Sequence, residues 1–379
     1  MKILFICGAL EPGRDGVGDY TRRLAGAIGL MGHEATVIAL YDPYVIEETI
    51  ADQLSDGQSV HVLRIPQQST GVSRWLRVQE WTNAFKPEWI SLQFVPYAFH
   101  PKGMPFSLGR ELQKLLIDGR RLQIMFHETW IGADGINLKR RLTAAVQKNI
   151  IRKMLKLLQP GIVHTQLPAT VKNLETIVRS IKPLQLFSNI EVAGQCQKFD
   201  PSTLRAGFFS QADASPAVIS FLQDLGRNAA ASGLRLELLF IGGDPARMKA
   251  AGETLSKTNN FKNVLYSGFL PPEGISAALQ SCTVGITLVP RHALGKSGSV
   301  AAFLQHGIPV AAPVIYPGID PNEIGFFSGE LCSAILLMPD LNALALAGKA
   351  AINAKNEIGL TVIAKIFIED ICSRQRNNS

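Results

Sequence analysis

The run Lys296-Ser297-Gly298-Ser299 stands where a loop gives way to the apolar segment "VAAFLQ". A cation, two hydroxyls and a glycine backbone at a helix N-terminus suit an anion such as phosphate, because the first N–H groups lack intrahelical acceptors and the helix dipole adds partial positive charge. The same residues also suit a simple cap, with Ser297 or Ser299 accepting from a main-chain N–H and Gly298 easing the turn. Arg291 and His292, just upstream, are second candidates for the anion or else solvated loop groups. In the first half of the chain, Gly13, Gly16 and Gly18 lie between a β-rich start and an amphipathic segment. Glycines there let the backbone approach an anion or a sugar, although an ordinary strand-to-helix turn uses them too. The spacing is not G-x-G-x-x-G, yet Asp42 after the second β-rich run leaves a dinucleotide-binding reading open. His127 closes the run "LQIMFHETW", where a strand delivers its last side chain to the sheet's end, and its neighbour Glu128 is placed to orient it. His33, His61, His100 and His306 read as core or surface residues.

The elements that must position these groups follow from hydrophobic periodicity. Short apolar runs such as "KILFIC", "EATVIAL", "WISLQF" and "GIVHT" alternate with segments whose apolar residues recur every three or four positions, and "LRAGFF", "RLELLFI", "NVLYSG", "TVGITL" and "IPVAA" repeat the pattern later. Two-face-buried strands alternating with helices imply parallel sheets covered by helices. The pattern restarts near residue 204, after "CQKFDPST", so the expected domains are 1–199 and 200–379, with ligand at the carboxyl ends of the strands in a cleft between them.

At 379 residues and 46% hydrophobic side chains, two cores are affordable and extensive disorder is excluded. The five cysteines are scattered without a C-x-x-C pair, which argues against zinc and a disulfide framework and suits a reducing cytoplasm. The opening run is cut short by Glu11 and Pro12, and no run approaches the roughly 18 apolar residues of a spanning helix. A soluble or peripheral protein is therefore expected.

The net charge of +7 is concentrated in residues 1–199, with 24 basic against 17 acidic residues; residues 200–379 carry 14 of each. Residues 138–158 hold Lys139, Arg140, Arg141, Lys148, Arg152, Lys153 and Lys156 and no acidic residue, with Leu142, Val146, Ile150, Met154 and Leu158 in a row at helical spacing. Such a helix reads either as an anionic membrane-surface element or as a domain helix with a solvated face. Without a binding module or stacking aromatics, nucleic acid is not an expected partner.

Taken in order, "GVGDYTRRLAGAIGLMGHEATVIAL", "LQIMFHETW", "LLFIGGDP", "VLYSGFLPPEGISAALQSCTVGITLVP" and "AAFLQHGIPVAA" resemble the landmarks of retaining glycosyltransferases of the GT-B fold, in particular the family-four group within the glycogen synthase/sucrose synthase-like superfamily. The resemblance implies an α/β chain of two Rossmann-like, doubly wound parallel-sheet domains facing a cleft, the last helix (about 360–375) crossing back to the first domain. It implies transfer of a sugar from a nucleotide-diphosphate sugar to a glycan or lipid-linked acceptor, with no cofactor and no metal, in polysaccharide or glycolipid assembly. With the cysteine count and the basic helix, the expected place is the cytoplasm, peripheral at the inner face of the cell membrane. By the same likeness Gly16, Val17 and Gly18 close over the donor, His127 touches the donor sugar, and Asp19 and Glu128 lie near the sugar or acceptor; the donor's diphosphate is then the anion that Lys296, Ser297, Gly298 and Ser299 would hold, with Arg291 as a second candidate. Two glutamates common in the family are replaced by Leu294 and Ala302. That departure leaves a non-catalytic sugar-nucleotide-binding relative open, beside the NAD(P)-dependent oxidoreductase suggested by Asp42.

Overall fold

The computed structural model describes residues 1–131, 138–178, 180–194, 200–258, 261, 263–325 and 329–376. It divides into two compact units: Met1–Leu184 joined by the C-terminal stretch from Ile363, and Gln185–Val362. The division falls at Leu184, ahead of the 199/200 boundary read from the sequence; of that expected linker, residues 196–199 lie outside the described residues. The segment after Leu184 is extended and packs on the second unit, with Ser188 N–H donating to Gln305 and Ala193 N–H to Ser276. Its buried Phe187 and its Ile190, which packs against the second unit's core, accompany that docking.

In the first unit the strands are β1 (Lys2–Cys7), β2 (Glu34–Asp42), β3 (Thr49–Ser55), β4 (Gln58–Pro66), β5 (Trp89–Phe94), β6 (Arg121–Phe126), β7 (Ile162–Thr165) and β8 (Ile181–Pro183). They form one sheet in the order β3-β4-β2-β1-β5-β6-β7-β8, parallel except for the β3–β4 hairpin at one edge. The central runs are buried on both faces, which is why they read as continuous apolar stretches. In the second unit β9 (Thr203–Phe209), β10 (Arg235–Ile241), β11 (Val264–Tyr266), β12 (Val284–Ile286), β13 (Val310–Ala311) and β14 (Ile335–Leu336) run parallel in the order β11-β10-β9-β12-β13-β14. Both sheets reverse their strand order beside the first strand of the unit, the doubly wound pattern that places ligands at the carboxyl ends of the strands.

The helix Leu360–Arg376 packs on the first unit through Ile363, Ala364, Phe367 and Ile371, with Phe367 against Phe5 and His164. The basic helix spans Leu138–Leu158 and buries Ile150, Met154 and Leu158 as its periodicity requires. Leu142, expected on the same buried row, is 60% exposed, and Leu138 is 70% exposed. The apolar stripe therefore leaves the core over the first turns, and Lys139, Arg140 and Arg141 stand exposed beside those leucines. Among the described residues no helix is long and apolar enough to cross a membrane.

Candidate active site

In the first unit β1 runs through the glycine turn into the helix Gly16–Leu30. Asp15 caps that helix, its Oδ1 accepting from Gly18 N–H at 2.6 Å. Asp19 accepts from Gly13 N–H at 3.1 Å and pairs with Arg22 at 2.5 Å. Gly13 needs its glycine for a φ of +72°, and Gly18 because a Cβ would lie 2.5 Å from the Ala9 carbonyl oxygen. Gly13 and Gly16 both face open space, but Gly16 alone of the three has neither a left-handed φ nor a close neighbour that requires glycine. The Asp15 carboxylate caps the Gly18 N–H at the helix start, and a diphosphate brought there would meet its negative charge, whereas a sugar hydroxyl would not. Burial pushes the Asp15 carboxyl above its ordinary value, against the bond from Gly18.

His127 follows β6, its N–H donating to the Phe94 carbonyl at 3.2 Å. Its ring is buried at 8% exposure, with Nε2 2.9 Å from Gln93 Oε1 and the Tyr20 ring edge-on at 5.0 Å. Gln166, just past β7, lies beside the same ring, and burial outweighs its hydrogen bond to lower the imidazole pKa to about 4. His127 is therefore neutral near pH 7 and offers hydrogen bonding without charge. Gln93, and not the exposed Glu128, holds the ring at Nε2. The sequence reading missed Gln93, Gln166 and Tyr20; the available signal was the polar residues inside the apolar runs "WISLQF" and "IVHTQ".

Asp42 is fully buried, accepting from Arg64 Nε at 2.7 Å, Leu10 N–H at 3.1 Å and Tyr44 N–H at 3.0 Å. Both of its oxygens are committed to the protein, so a ribose hydroxyl there would compete with the Arg64, Leu10 and Tyr44 bonds.

In the second unit a 3₁₀ turn, Arg291–Lys296, leads into the helix Gly298–Gln305. Ser297 is the cap: its Oγ accepts from Val300 N–H at 3.3 Å and lies 3.1 Å from Ser299 Oγ. Lys296 and Gly298 are exposed and Ser299 is half-buried, and a Cβ on Gly298 would touch nothing within 4 Å. The cap thus takes Ser297 and leaves Lys296, Gly298 and Ser299 outside it. Arg291 has a different role from the expected contact with diphosphate. It is buried, and its Nε, Nη1 and Nη2 donate to the carbonyls of Ala312, Pro321 and Leu337, each at 2.8 Å. The guanidinium joins three loop segments, and burial lowers its pKa. Leu294 and Ala302 are each 1% exposed within an apolar cluster. A carboxylate in either place would be desolvated.

At the carboxyl ends of β10 and β11 a cavity of about 420 Å³ is lined by Phe240, Gly242, Gly243, Met248, Lys249 and Tyr266, among others. Phe240 is stacked between Phe208 and Tyr266 at 5.0 and 5.2 Å. Its size and mixed apolar and main-chain lining fit a small ligand. No cluster of potential metal ligands occurs among the described residues.

No family model and no curated protein matches this sequence. Solved structures match over nearly the whole chain at low identity. HepE of Anabaena in complex with UDP aligns at a TM-score of 0.57 and 12% identity, over 98% of this chain and 100% of that one. An α,α-trehalose-phosphate synthase (UDP-forming) from Burkholderia xenovorans aligns at 0.58 and 10%, over 97% and 99%. A UDP-GlcNAc 2-epimerase from Neisseria meningitidis bound to UDP-GlcNAc aligns at 0.52 and 9%, over 98% and 100%. The likeness establishes the fold, GT-B, with two Rossmann-like parallel-sheet domains.

Proposed function

We propose that this chain is a glycosyltransferase that moves a sugar from a nucleoside-diphosphate sugar to a glycan or lipid-linked acceptor with retention of configuration. The observation that carries the reading is a neutral, clamped imidazole at the carboxyl ends of the central strands of a GT-B chain. A group of that kind recognises uncharged hydroxyls. In this reading His127 bonds the donor sugar, the open backbone at Gly16 and Val17 approaches it, and Asp19 and Glu128 lie toward sugar or acceptor. Lys296, Gly298 and Ser299 hold the diphosphate without a metal, and the nucleoside enters the cavity beside Phe240 and Tyr266. An imidazole with a pKa of about 4 is a poor base. The acceptor proton is therefore assigned to a diphosphate oxygen, with attack on the leaving-group face and no protein nucleophile.

The burial of Leu294 and Ala302 favours a second reading, a sugar-nucleotide-binding relative without catalysis. One experiment separates the two. Nucleoside diphosphate release from a panel of sugar nucleotides, with and without a glycan or lipid-linked acceptor, is measured beside their binding. Binding with release supports the transferase, and binding without release on any acceptor supports the relative. Absence of binding contradicts both.

The exposed Leu138 and Leu142 beside Lys139, Arg140 and Arg141 are proposed to dock the protein on the anionic inner face of the cell membrane, with the apolar pair entering the interface and the cations meeting lipid headgroups. Salt-sensitive cosedimentation with phosphatidylglycerol vesicles that Arg140→Gln and Arg141→Gln abolish is the expected result. No sedimentation at low salt contradicts it.

A further inference from the structure

A buried chain of polar side chains crosses the first unit's sheet beneath His127. His127 Nε2 lies 2.9 Å from Gln93 Oε1, Gln93 Nε2 is 2.8 Å from Ser91 Oγ, and Ser91 Oγ is 2.5 Å from Gln123 Oε1. Gln123 Nε2 then lies 3.1 Å from His164 Nδ1, and His164 Nε2 3.1 Å from Asp370 Oδ2. Lys182 bonds the other oxygen of Asp370. Ser91, Gln93, Gln123 and His164 are fully buried, so each polar group must find its partner inside the chain.

The direction of every bond follows from its far end, without reference to any assigned hydrogen. An ionised carboxylate only accepts, so His164 must donate from Nε2. A neutral His164 then accepts at Nδ1, which turns the Gln123 amide nitrogen toward it and its oxygen toward Ser91. Ser91 donates to that oxygen and accepts from the Gln93 amide nitrogen. The Gln93 oxygen is left facing His127, whose Nε2 must carry the proton. Burial, opposed by Asp370, lowers the His164 pKa. For Asp370 burial acts upward, but the bonds from His164 and Lys182 prevail and the carboxyl titrates below its ordinary value. Both states that the chain requires are thus the stable ones near pH 7.

We propose that Asp370, on the C-terminal helix, is a positioning residue that fixes the His127 tautomer, leaving Nδ1 as an acceptor for a sugar hydroxyl. Gln166 bonds the same ring and its buried Nε2 has no partner, so turning its amide brings that N–H to the ring and opposes neither tautomer. Asp370→Asn gives a sharp consequence. Lys182 keeps the amide oxygen, so the amide nitrogen faces His164 and every bond in the chain reverses. His127 must then accept at Nε2 and carry its proton on Nδ1.

Two-bond ¹⁵N–¹H correlation spectra of histidine-labelled protein read the tautomer directly, with His127→Gln assigning the signal. The wild type at pH 7 is expected to show the Nε2–H form, and Asp370→Asn the Nδ1–H form. A wild-type Nδ1–H form, or a tautomer unchanged in Asp370→Asn, overturns the proposal. Should that variant fail to fold, Gln93→Leu serves: loss of the single-tautomer signature supports the chain, and an unaltered signature overturns it. The assignment of Nδ1 to a sugar rests on the function proposed above, but the spectra need no substrate and fail independently of it. Where transfer is measured, Asp370→Asn should lower turnover on the order of tenfold or more while nucleoside diphosphate binding is retained.

Discussion

The two units carry candidate groups of opposite character. In the first, His127 is sealed among Gln93, Tyr20 and Gln166, and the nearby helix start is already closed by Asp15. In the second, Lys296 and Gly298 are exposed, and only Ser297 of the turn is committed to a cap. A neutral group held in one orientation discriminates hydroxyl geometry, because its hydrogen bonds are fixed before the ligand arrives. An exposed cation beside open helix N–H groups attracts phosphate and is indifferent to geometry. In the function proposed above, the contrast corresponds to sugar recognition by the first unit and charge recognition by the second.

The largest effect should come from breaking the sealed half. His127→Ala is expected to lower turnover by about a hundredfold or more, with the dissociation constant for nucleoside diphosphate unchanged, as kinetics beside equilibrium binding will report. Equal losses in both would move His127 to the charged half. Acid exposes the same contrast. The ordinary histidine value is 6.5 and that of folded His127 is about 4, so between these pH values the unfolded chain binds a proton that the folded ring refuses. Stability is fully present above pH 6.5 and falls as pH drops through that window, by about 3 kcal/mol for a shift of this size. His164 is shifted in the same direction. Urea midpoints of wild type and His127→Gln at pH 7 and pH 5 should show a shallower loss in the variant.

Lys296→Ala, in the open half, should weaken nucleoside diphosphate by about ten- to a hundredfold, or 1.5–3 kcal/mol, and leave the bare nucleoside unaffected. Calorimetric titration with both ligands makes the comparison. The smallest effect belongs to Ser297→Ala, which loses a cap worth about 1 kcal/mol and should shift melting without altering the preference for diphosphate.

Much of the fold was legible because apolar runs buried on both faces need no tertiary knowledge: β1, β2, β5, β6 and β10 all fall within their predicted runs or extend them by a few residues. The β3–β4 hairpin was missed. β3, "TIADQLS", has neither an apolar run nor a polar–apolar alternation, and Ile50 and Leu54 are exposed at the sheet edge; its only strong mark is the turn Asp56-Gly57, whose φ values of 49° and 78° are those of an Asp-Gly hairpin. Of the site, His127 was legible from its place at a strand end, whereas Gln93 acquires meaning only when β5 lies beside β6. Arg291 misled for a physical reason: an arginine in a polar loop reads as exposed, and the three carbonyls that bury it come from distant segments.

The central claim is that the open half-site holds a nucleoside diphosphate linked to a sugar. Isothermal titration of the intact chain with UDP-glucose, UDP and uridine, alongside the guanosine and adenosine series, tests it most directly. The account predicts that one series binds, that its diphosphate binds at least tenfold more tightly than its nucleoside, and that added salt narrows the gap. Equal affinity for nucleoside and diphosphate, or heat from none of the three series, would contradict it.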